Sequence, residues 1–530
     1  MKSALYRAAA VPAGRASLPA ARPATRVATP RPPRSPALGQ PGGVVHLTAE
    51  CWPFARTGGL GEAVAALARH QGAAGQVVTV LMPLYRAVRD RVPRLQPVGP
   101  RFAVELAGWS TQARILEAAP DADEVGESGP ARVLFLDLPD AFDRPGLYGE
   151  GGTDYPDNPW RFALFCRAAL SILPWVAPEA RVVHAHDWHT ALAPVYLRTD
   201  WAADPFHQRL ASVLSVHNAG YQGHCAPETL PRLGLPARLY DWRRLEWYGR
   251  VNLLKGGMAF ADAVVTVSPT HARELCAPDT GFGLHGAFVA LEDRLVGITN
   301  GIDQRVWDPA RDPDIAAPFG VGDLAGKRLC KAALQRTFGL PVSDSIPVVA
   351  VCARLAAQKG LDLLLAAEVP ASVPVQLVVL GEGEPEYARA LTALAAAMPD
   401  RVAVQLAFRD RLEHVLLGGA DLLLMPSRYE PCGLTQMRAQ RYGAIPVAHR
   451  VGGLADTIED GVTGFLFDEY TPDGLVAALR RALDHHREPV AWRRLVRAAM
   501  ARDFGWEGSV ERYQTVYRRA CRDRARPSAS

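Results

Sequence analysis

Short apolar segments alternate with helical segments in two series along this chain, and this alternation limits the fold more than any other feature. Such apolar runs, bounded by turn residues, are typical of parallel strands buried on both faces. Strand–helix alternation in turn favours doubly wound sheets. The sequence therefore predicts an α/β protein with two doubly wound domains facing each other across a cleft. The strands are predicted at Gly43–Glu50, Val77–Met82, Val133–Leu138, Val182–Ala185, Ser212–Val216 and Ala263–Val267, then at Pro347–Cys352, Gln376–Leu380, Val402–Leu406, Leu422–Met425 and Ile445–Ala448.

The length of the chain favours the same division, because 530 residues exceed what one hydrophobic core usually holds. We expect a first domain over 44–325, a hinge over 326–345 and a second domain over 346–490. Terminal helices over 491–530 are expected to pack back on the first domain. The polar segment 121–131 predicts a surface loop.

Basic residues concentrate in residues 1–43, a leader rich in alanine, proline and arginine with no acidic residue before Glu50. It has no apolar period and is predicted to be disordered. An organellar transit peptide is one interpretation. An unselected extension from a GC-rich genome is the one we favour, since only five of the chain's 59 basic residues are lysines.

Partners and compartment follow from charge, hydropathy and cysteine usage. A formal net charge of +4 is too small to indicate nucleic acid binding. No apolar stretch reaches the roughly 18 residues that cross a membrane. The eight cysteines are scattered without a C-x-x-C pair, which indicates reduced thiols and not a disulfide or zinc framework. We expect a cytoplasmic protein, with a plastid or other organelle as the alternative if the leader is a transit peptide.

The segment Ser427–Gln436 carries the clearest chemical signal. It follows the predicted strand Leu422–Met425, so it lies where a strand ends and a helix begins. Ligands of open α/β sheets bind at that edge, where backbone N–H groups of the helix start can face a phosphate. The Glu430 carboxylate would repel a phosphate and more plausibly faces an uncharged part of the same ligand, such as sugar hydroxyls. The combination predicts a nucleotide-sugar site.

Arg354 and Lys359 lie five residues apart in another strand-to-helix loop. Two cations there can converge on a diphosphate and offset its charge as it leaves. Solvated surface charge is the alternative interpretation. It is weakened because this arginine-rich chain retains lysine at Lys359 and Lys255, where a compact ammonium is needed. Gly381 begins a further strand-end turn that either faces the nucleoside or is a simple surface turn.

Two segments of the first domain are weaker signals. The turn Thr57–Gly61 lets backbone approach a phosphate closely, although a tight turn alone explains its glycines equally well. The strand end Val182–His189 contains three histidines. Structural histidines, a zinc site and sugar-binding histidines are the three interpretations. We disfavour zinc, because strand alternation places His184 and His186 on one side with little room for tetrahedral closure.

Taken in order, these segments resemble the bacterial glycogen synthase and plant starch synthase family. The resemblance extends from Val44 to about Tyr517, and its most specific strings are Glu430–Gln436 and His184–Trp188. It implies a GT-B fold of two Rossmann-like domains and retaining transfer of glucose from ADP-glucose or UDP-glucose to the non-reducing 4-hydroxyl of an α-1,4-glucan such as glycogen. Supporting segments are Arg56–Glu62, His217–Gly223, Val267–Thr270, Thr299–Asp303, Arg354–Lys359 and Gly452–Thr457.

The resemblance also implies roles for individual residues. Arg354 and Lys359 would bind the donor diphosphate, Glu430 the donor glucose hydroxyls, and His186 the region of the glucose 6-hydroxyl. Further donor contacts are implied for Arg56, Gly58, Gly59, Gly381, Tyr429, Cys432, Gly433, Leu434 and Thr435. Polar cleft residues on the acceptor side would be Glu50, Glu62, Asp157, Asn218, Asn252 and Lys255.

No metal and no cofactor are expected, because cations and a helix dipole can replace a divalent ion on the diphosphate. The family's first motif usually has lysine and aspartate where this chain has Arg56 and Glu62. Arginine keeps the charge but not the shape of lysine. We therefore expect these departures to affect donor preference or rate more than the class of reaction. Two rival interpretations stay open: another retaining GT-B transferase, and a catalytically weakened glucan- or nucleotide-binding homologue.

Overall fold

A computed structural model describes residues 42–92, 94–118 and 131–525. The predicted leader, apart from its last two residues, lies outside the described residues. So does the predicted surface loop 121–131, apart from Ala131. Within the described ranges, no helix is both long and apolar enough to cross a lipid bilayer.

The first lobe is built on a sheet whose strands are ordered β14-β13-β9-β8-β1-β2-β5-β4-β3. Its central strands are parallel and its β3–β4 edge is an antiparallel hairpin. Two smaller sheets, β6-β7 and β10-β12-β11, lie outside this main sheet. The strands of the first lobe are β1 (Gly43–Leu47), β2 (Val78–Pro83), β3 (Leu95–Leu106), β4 (Trp109–Ala118), β5 (Arg132–Asp137), β6 (Gly149–Glu150), β7 (Thr153–Asp154), β8 (Ala180–His186), β9 (Ala211–Val216), β10 (His224–Cys225), β11 (Glu246–Trp247), β12 (Arg250–Asn252), β13 (Ala263–Thr266) and β14 (Leu295–Gly297). The helices are α1 (Gly59–Ala73), α2 (Arg86–Arg91), α3 (Pro139–Phe142), α4 (Asn158–Val176), α5 (Asp187–Thr190), α6 (Leu192–Arg198), α7 (Leu253–Phe260), α8 (Pro269–Leu275) and α9 (His285–Val289).

The second lobe contains a wholly parallel sheet ordered β17-β16-β15-β18-β19-β20. Its strands are fully apolar at their centres because helices cover both faces. The strands are β15 (Val348–Cys352), β16 (Gln376–Leu380), β17 (Val402–Gln405), β18 (Leu422–Met425), β19 (Ile445–His449) and β20 (Phe465–Phe467). The helices that follow the first lobe are α10 (Ala325–Thr337), α11 (Leu361–Ala366), α12 (Val369–Ser372), α13 (Pro385–Ala397), α14 (Asp410–Gly419), α15 (Thr435–Arg441), α16 (Gly452–Thr457), α17 (Pro472–Arg487), α18 (Pro489–Met500) and α19 (Glu507–Ala525).

The two chain crossings between the lobes lie side by side. The chain leaves the first lobe after β14 and returns after α18. The Ile302 N–H donates to the Phe504 carbonyl at 2.8 Å. Gly301 permits this approach, because a Cβ there would lie 2.9 Å from the Gly505 carbonyl carbon. The residues around these two positions therefore form the connection between the lobes.

Two parts of the predicted domain plan differ from this arrangement. The range predicted as a hinge contains α10, which packs on α14 of the second lobe, because its apolar face needs that cover. The predicted terminal helices separate: α18 packs on α15 and α17 of the second lobe, whereas α19 packs on α1, β8 and β9 of the first lobe. The break between them coincides with the second crossing.

Candidate functional site

The loop after β18 carries a buried carboxylate in contact with a cation. Glu430 is 5% exposed. Its Oε2 accepts hydrogen bonds from Lys359 Nζ at 2.6 Å and from Ser427 Oγ at 3.0 Å. Lys359 lies in the loop after β15, so the adjacent parallel strands β15 and β18 deliver both residues to one sheet edge. The structure thus brings together the two predicted residues with the most specific chemistry.

The turn between Glu430 and α15 exposes backbone donors at the same edge. Gly433 has a φ of 71°, a left-handed conformation that glycine adopts without strain. The Gln436 side chain donates to the Cys432 and Gly433 carbonyls at 3.0 Å each and so fixes the turn. Among the described residues, none accepts a hydrogen bond from the N–H groups of Gly433 or Leu434. Thr435 is the first residue of α15.

Cys432 is a structural member of this turn. It is 5% exposed, and burial raises the pKa of its thiol to about 12. A thiol with such a pKa stays protonated and unreactive at neutral pH. The contact predicted between Cys432 and the nucleotide-sugar donor is therefore restricted to the backbone of the turn.

Arg354 and Gly381 complete the second-lobe edge. The Arg354 guanidinium is exposed and its Nη2 lies 3.3 Å from Gln358 Oε1 within the same loop. A Cβ on Gly381 would lie 1.9 Å from the Ala353 carbonyl oxygen. The glycine therefore allows the loops after β15 and β16 to touch, which explains its presence without a ligand. Arg354 retains a guanidinium that is available to an anion at this edge.

Tyr429 reaches from the second lobe to the first. Its ring meets the Phe282 ring edge-on with centroids 4.9 Å apart, and its hydroxyl lies close to Gly220, beside Asn218 Oδ1. Burial raises the pKa of Tyr429. Asn218 itself follows β9, at the carboxyl edge of the first sheet, and its Oδ1 accepts from the Gly220 N–H at 2.9 Å. The carboxyl edges of the two sheets therefore face the same cleft.

Three histidines of the first lobe are joined to one another by direct hydrogen bonds at this edge, and a fourth, His184, lies beside them. His46 Nδ1 lies 2.9 Å from His186 Nε2, and His186 Nδ1 lies 3.0 Å from His217 Nε2. His184 is bonded instead to Tyr517 at 2.8 Å and to Ser215 at 2.7 Å. His186 is completely buried, and both of its ring nitrogens already have partners. This argues against the predicted direct contact between His186 and the sugar, because neither ring nitrogen is left to bond a hydroxyl.

His46, His184 and His186 each offer a ring nitrogen within 4.8 Å of the others, a spacing that could hold a metal ion. Every ring nitrogen of these three residues is already hydrogen-bonded, however. A metal would have to replace these bonds at a site with no side-chain exposure. The arrangement fits a hydrogen-bonded network better than a zinc site, for which ligands need a free lone pair.

The network should make stability depend on pH. Burial lowers the pKa of His46 from 6.5 to about 4, so the folded protein keeps this ring neutral. As pH falls below 6.5, the unfolded chain binds a proton that the folded protein rejects, and stability decreases until pH reaches the folded pKa. The expected loss is about 1.4 kcal/mol per pH unit for each such histidine.

Chemical denaturation at pH 7.5 and pH 5.5 measures this loss. The free energy of unfolding should drop less steeply in His46→Gln than in the parent protein. Asp187, whose pKa burial raises to about 7, acts in the opposite direction. It is present in both proteins and cancels in the comparison. Equal slopes would contradict a neutral buried His46.

The glycine-rich turn of the first lobe is held by Glu50. Its carboxylate, 3% exposed, accepts from the Thr57 N–H at 2.8 Å, the Thr57 hydroxyl at 2.7 Å and the Tyr148 hydroxyl at 2.6 Å. A Cβ on Gly58 or Gly59 would meet no protein atom within 4 Å. The space beside these two glycines is therefore open, and Glu50 positions the turn instead of facing the cleft.

Arg56 and Glu62 bridge the two lobes. Arg56 Nη1 donates to Glu62 Oε1 at 2.6 Å, and its Nη2 is paired with Asp410 of the second lobe. Glu62 also accepts from Arg438, which in turn donates to Glu413 at 3.0 Å. Burial alone would raise the pKa of Glu62, but Arg438 and Arg56 outweigh it and lower the pKa below 4.5. The two residues that depart from the usual family motif thus form an interlobe ion network.

Replacing Glu62 by glutamine should loosen this network. The buried Arg438 guanidinium would lose one of its two carboxylates, and we expect the free energy of unfolding to fall by roughly 1–3 kcal/mol. Differential scanning calorimetry measures the change, with Glu511→Gln, an exposed carboxylate on α19, as the control. An unchanged transition would mean that the interlobe pairs contribute nothing to the folded state.

Three predicted cleft residues are instead tied to the fold. Asp157 is paired with Arg144 through two bonds of 2.7 and 2.6 Å, and these bonds lower its pKa. Asn252 is fully buried, caps α7 by accepting from the Lys255 N–H at 2.9 Å, and donates to Gln222 at 2.6 Å. Lys255 Nζ donates to the Trp242 and Glu246 carbonyls at 2.5 Å each. Polar residues next to a sheet edge can be structural caps, which spacing alone does not reveal.

Two doubly wound lobes with strand-end loops facing a common cleft define a glycosyltransferase of the GT-B fold. Two family descriptions match: "Starch synthase catalytic domain" over residues 43–290 and "Glycosyl transferases group 1" over residues 338–498. The chain belongs to the glycogen synthase family, which includes the plant starch synthases.

Similar proteins support that placement over nearly the whole chain. The glycogen synthase of Anaeromyxobacter dehalogenans is 44% identical over 90% of this chain and 98% of its own length. The glycogen synthase of Syntrophotalea carbinolica is 42% identical with the same coverage of both chains. The catalytic domain of starch synthase IV from Arabidopsis thaliana, bound to ADP and acarbose, superposes with a TM-score of 0.83. It is 32% identical and covers 91% of this chain and 100% of its own.

Proposed function

We propose that the protein transfers glucose from ADP-glucose to the non-reducing 4-hydroxyl of an α-1,4-glucan, with retention of the anomeric configuration, in the synthesis of glycogen. The observation that carries the proposal is the contact between Lys359 and the buried Glu430 beside the open turn at Gly433. This places a cation, a carboxylate and backbone donors at one sheet edge, which suits a ligand with both phosphate and sugar parts.

The donor is proposed to lie with its diphosphate against the second lobe. Arg354 and Lys359 would contact the phosphates, and the N–H groups of Gly433, Leu434 and Thr435 would donate to their oxygens. Glu430, held by Lys359 and Ser427, would accept from glucose hydroxyls. The positive groups stabilise the charge that develops on the diphosphate as the glycosidic bond breaks.

The acceptor is proposed to approach from the first lobe. The open space beside Gly58 and Gly59 would admit the reacting end of the donor close to the backbone of the turn, where the acceptor meets it. No side-chain nucleophile is assigned, and the leaving phosphate itself would take the proton of the attacking hydroxyl on the same face of the sugar. Closure of the lobes would exclude water, which otherwise would hydrolyse the donor.

ADP-glucose is proposed over UDP-glucose because the similar starch synthase IV structure contains ADP. A competition assay with both donors and glycogen tests donor and product together. We expect glucose to be added in α-1,4 linkage and ADP-glucose to be used preferentially. Formation of sucrose or a trehalose precursor, or tight ADP binding without any elongation, would overturn the proposal.

The transfer is also proposed to need no metal, since Arg354 and Lys359 supply the positive charge that a divalent ion would supply. Treatment with a chelator should therefore leave the initial rate of ADP release unchanged. A rate that falls and recovers on adding Mg²⁺ would contradict this. The cytoplasm is the proposed compartment, and eight free cysteines in the structure fit a reducing environment.

A further inference from the structure

A short helix of the second lobe, α16, lies between the first lobe and the turn that carries Glu430. We call residues 430–436 the Glu430 turn. The Gly453 N–H at the start of α16 donates to the Glu430 carbonyl at 3.0 Å. A Cβ on Gly453 would lie 2.1 Å from the Cys432 carbonyl oxygen, and one on Gly452 would lie 2.0 Å from that of Glu430. The two glycines therefore let the backbone of α16 pack directly against the turn.

The last residue of α16 holds the same turn through side chains. Thr457 Oγ1 accepts from Gln436 Nε2 at 3.1 Å. The same amide donates to the carbonyls of Cys432 and Gly433, at 3.0 Å each. Thr457 in turn donates to the Gly453 carbonyl at 2.6 Å. Because α16 contacts the Glu430 turn at both of its ends, a displacement of the helix would also displace the turn.

Two carboxylates join α16 to helix α8 of the first lobe. Glu274 of α8 accepts from the Gly452 N–H at 2.8 Å through its Oε1. Asp456 of α16 accepts from Thr270 of α8, from the backbone N–H at 2.9 Å and from the hydroxyl at 2.6 Å. Each lobe therefore supplies a carboxylate to the helix start of the other. Hydrogen bonds with an ionised acceptor are stronger than those between neutral groups.

Glu274 is itself held by its own helix. Its Oε2 lies 3.5 Å from Nδ1 of His271, whose side chain is 1% exposed. The Glu274 side chain is 20% exposed and lies against Gly452, where a Cβ would come within 3.5 Å of Oε2. Glu274, Gly452 and the Glu430 carbonyl are therefore in successive contact, from the first lobe to the sheet edge of the second.

We propose that Glu274 is a positioning residue, which fixes α16 from the first lobe and thereby holds the Glu430 turn in the geometry that serves glucose transfer. Its effect on the rate rests on the proposed function, whereas its hold on the turn does not. A displacement of about 1 Å at a reacting centre can lower a rate roughly a hundredfold. The turn reaches its working geometry only while α8 and α16 are in contact, so the first lobe completes the donor side of the cleft.

The first test measures the turn itself. Hydrogen exchange of the full chain, followed by mass spectrometry, reports amide protection in peptides over 428–436 and 450–457. In Glu274→Ala the Gly452 N–H loses its acceptor, and we expect roughly tenfold faster exchange in both segments. Glu274→Gln keeps an acceptor oxygen and should restore most of the protection. Asp279→Ala, which removes an exposed carboxylate just after α8, is the control. Unchanged exchange in Glu274→Ala would overturn the proposal.

The second test separates positioning from a general loss of stability. Glu274→Ala should lower kcat roughly ten- to hundredfold, and Glu274→Gln should recover most of it. In a Glu430→Ala background the same substitution should cost several-fold less, because the carboxylate that it positions is already absent. Thermal denaturation verifies that each variant is folded. An equal cost in both backgrounds would contradict positioning of Glu430.

The two tests also separate this proposal from the proposed function. Failure of the parent protein to elongate glycogen with any nucleotide glucose would refute the proposed function. The exchange measurement needs no substrate, and it would still decide whether Glu274 holds the Glu430 turn.

Discussion

Replacing Lys359 by glutamine is expected to lower kcat by roughly 10²- to 10³-fold, the range seen when one charge-stabilising donor is removed from an active site. Glutamine keeps most of the length and can still donate to Glu430, but it removes the positive charge. The loss should therefore appear mainly in kcat, because the charge on the departing diphosphate develops in the transition state. Initial rates of ADP release with glycogen as acceptor measure it.

Arg428→Gln is the matched control for this prediction. Arg428 belongs to the same loop as Glu430, but it is exposed and paired with Asp362. Loss of that cation changes the local charge equally and should alter kcat less than about threefold, as expected for an exposed pair. A Lys359→Gln protein with the parent rate constant would remove Lys359 from any role on the leaving group.

Replacing Glu430 by alanine is expected to reduce kcat/KM by roughly 10³-fold, because two consequences combine. The donor glucose loses its carboxylate acceptor, and Lys359 loses the partner that holds its ammonium 2.6 Å away. The freed ammonium is then no longer fixed where the charge on the departing diphosphate develops. Glucose incorporation into glycogen measures the loss, and circular dichroism verifies the fold.

Glu430→Gln and Glu469→Gln separate these consequences from a general effect of charge. The glutamine at 430 keeps the shape and one acceptor, so its loss should be smaller than that of alanine. Glu469 is exposed after β20 of the same sheet, and its replacement should leave activity unchanged. Full activity in Glu430→Ala would exclude this carboxylate from the site.

The strands and the contact between Lys359 and Glu430 were predictable because they depend on local patterns. The apolar runs Gln376–Leu380 and Leu422–Met425 coincide with β16 and β18, since helices cover both faces of such strands and the whole run is buried. Because β15 and β18 are adjacent and parallel, the loops after them place Lys359 beside Glu430, and no other long-range contact had to be predicted. The antiparallel β3–β4 hairpin was not predicted, because its exposed residues interrupt the apolar runs that identify the buried strands.

The contacts of the first lobe beside this edge were predicted less well, because they join distant parts of the sequence. Gln71 Nε2 donates to the Tyr517 hydroxyl at 2.9 Å, although the two residues are 446 positions apart and neither lies in a segment with a recognisable signal. Arg438, which joins Glu62 to the second lobe, lies on a short helix whose face was not predictable. Asn252 has a polar side chain at a suspected edge but caps α7 instead. Sequence patterns locate such side chains on the sheet edge and cannot tell which of them the fold itself uses.

The packing of α19 on the first lobe affects the order in which the newly synthesised protein folds. Val44, Val182 and Ala211 of the first lobe pack against Trp506 and Val510, which the ribosome supplies only after the whole second lobe. Until then this apolar face of the nascent first lobe has no native cover, and Gln71 lacks the hydroxyl that orients its amide. The amino-terminal half of the protein should therefore mature last in biogenesis, although it is translated first.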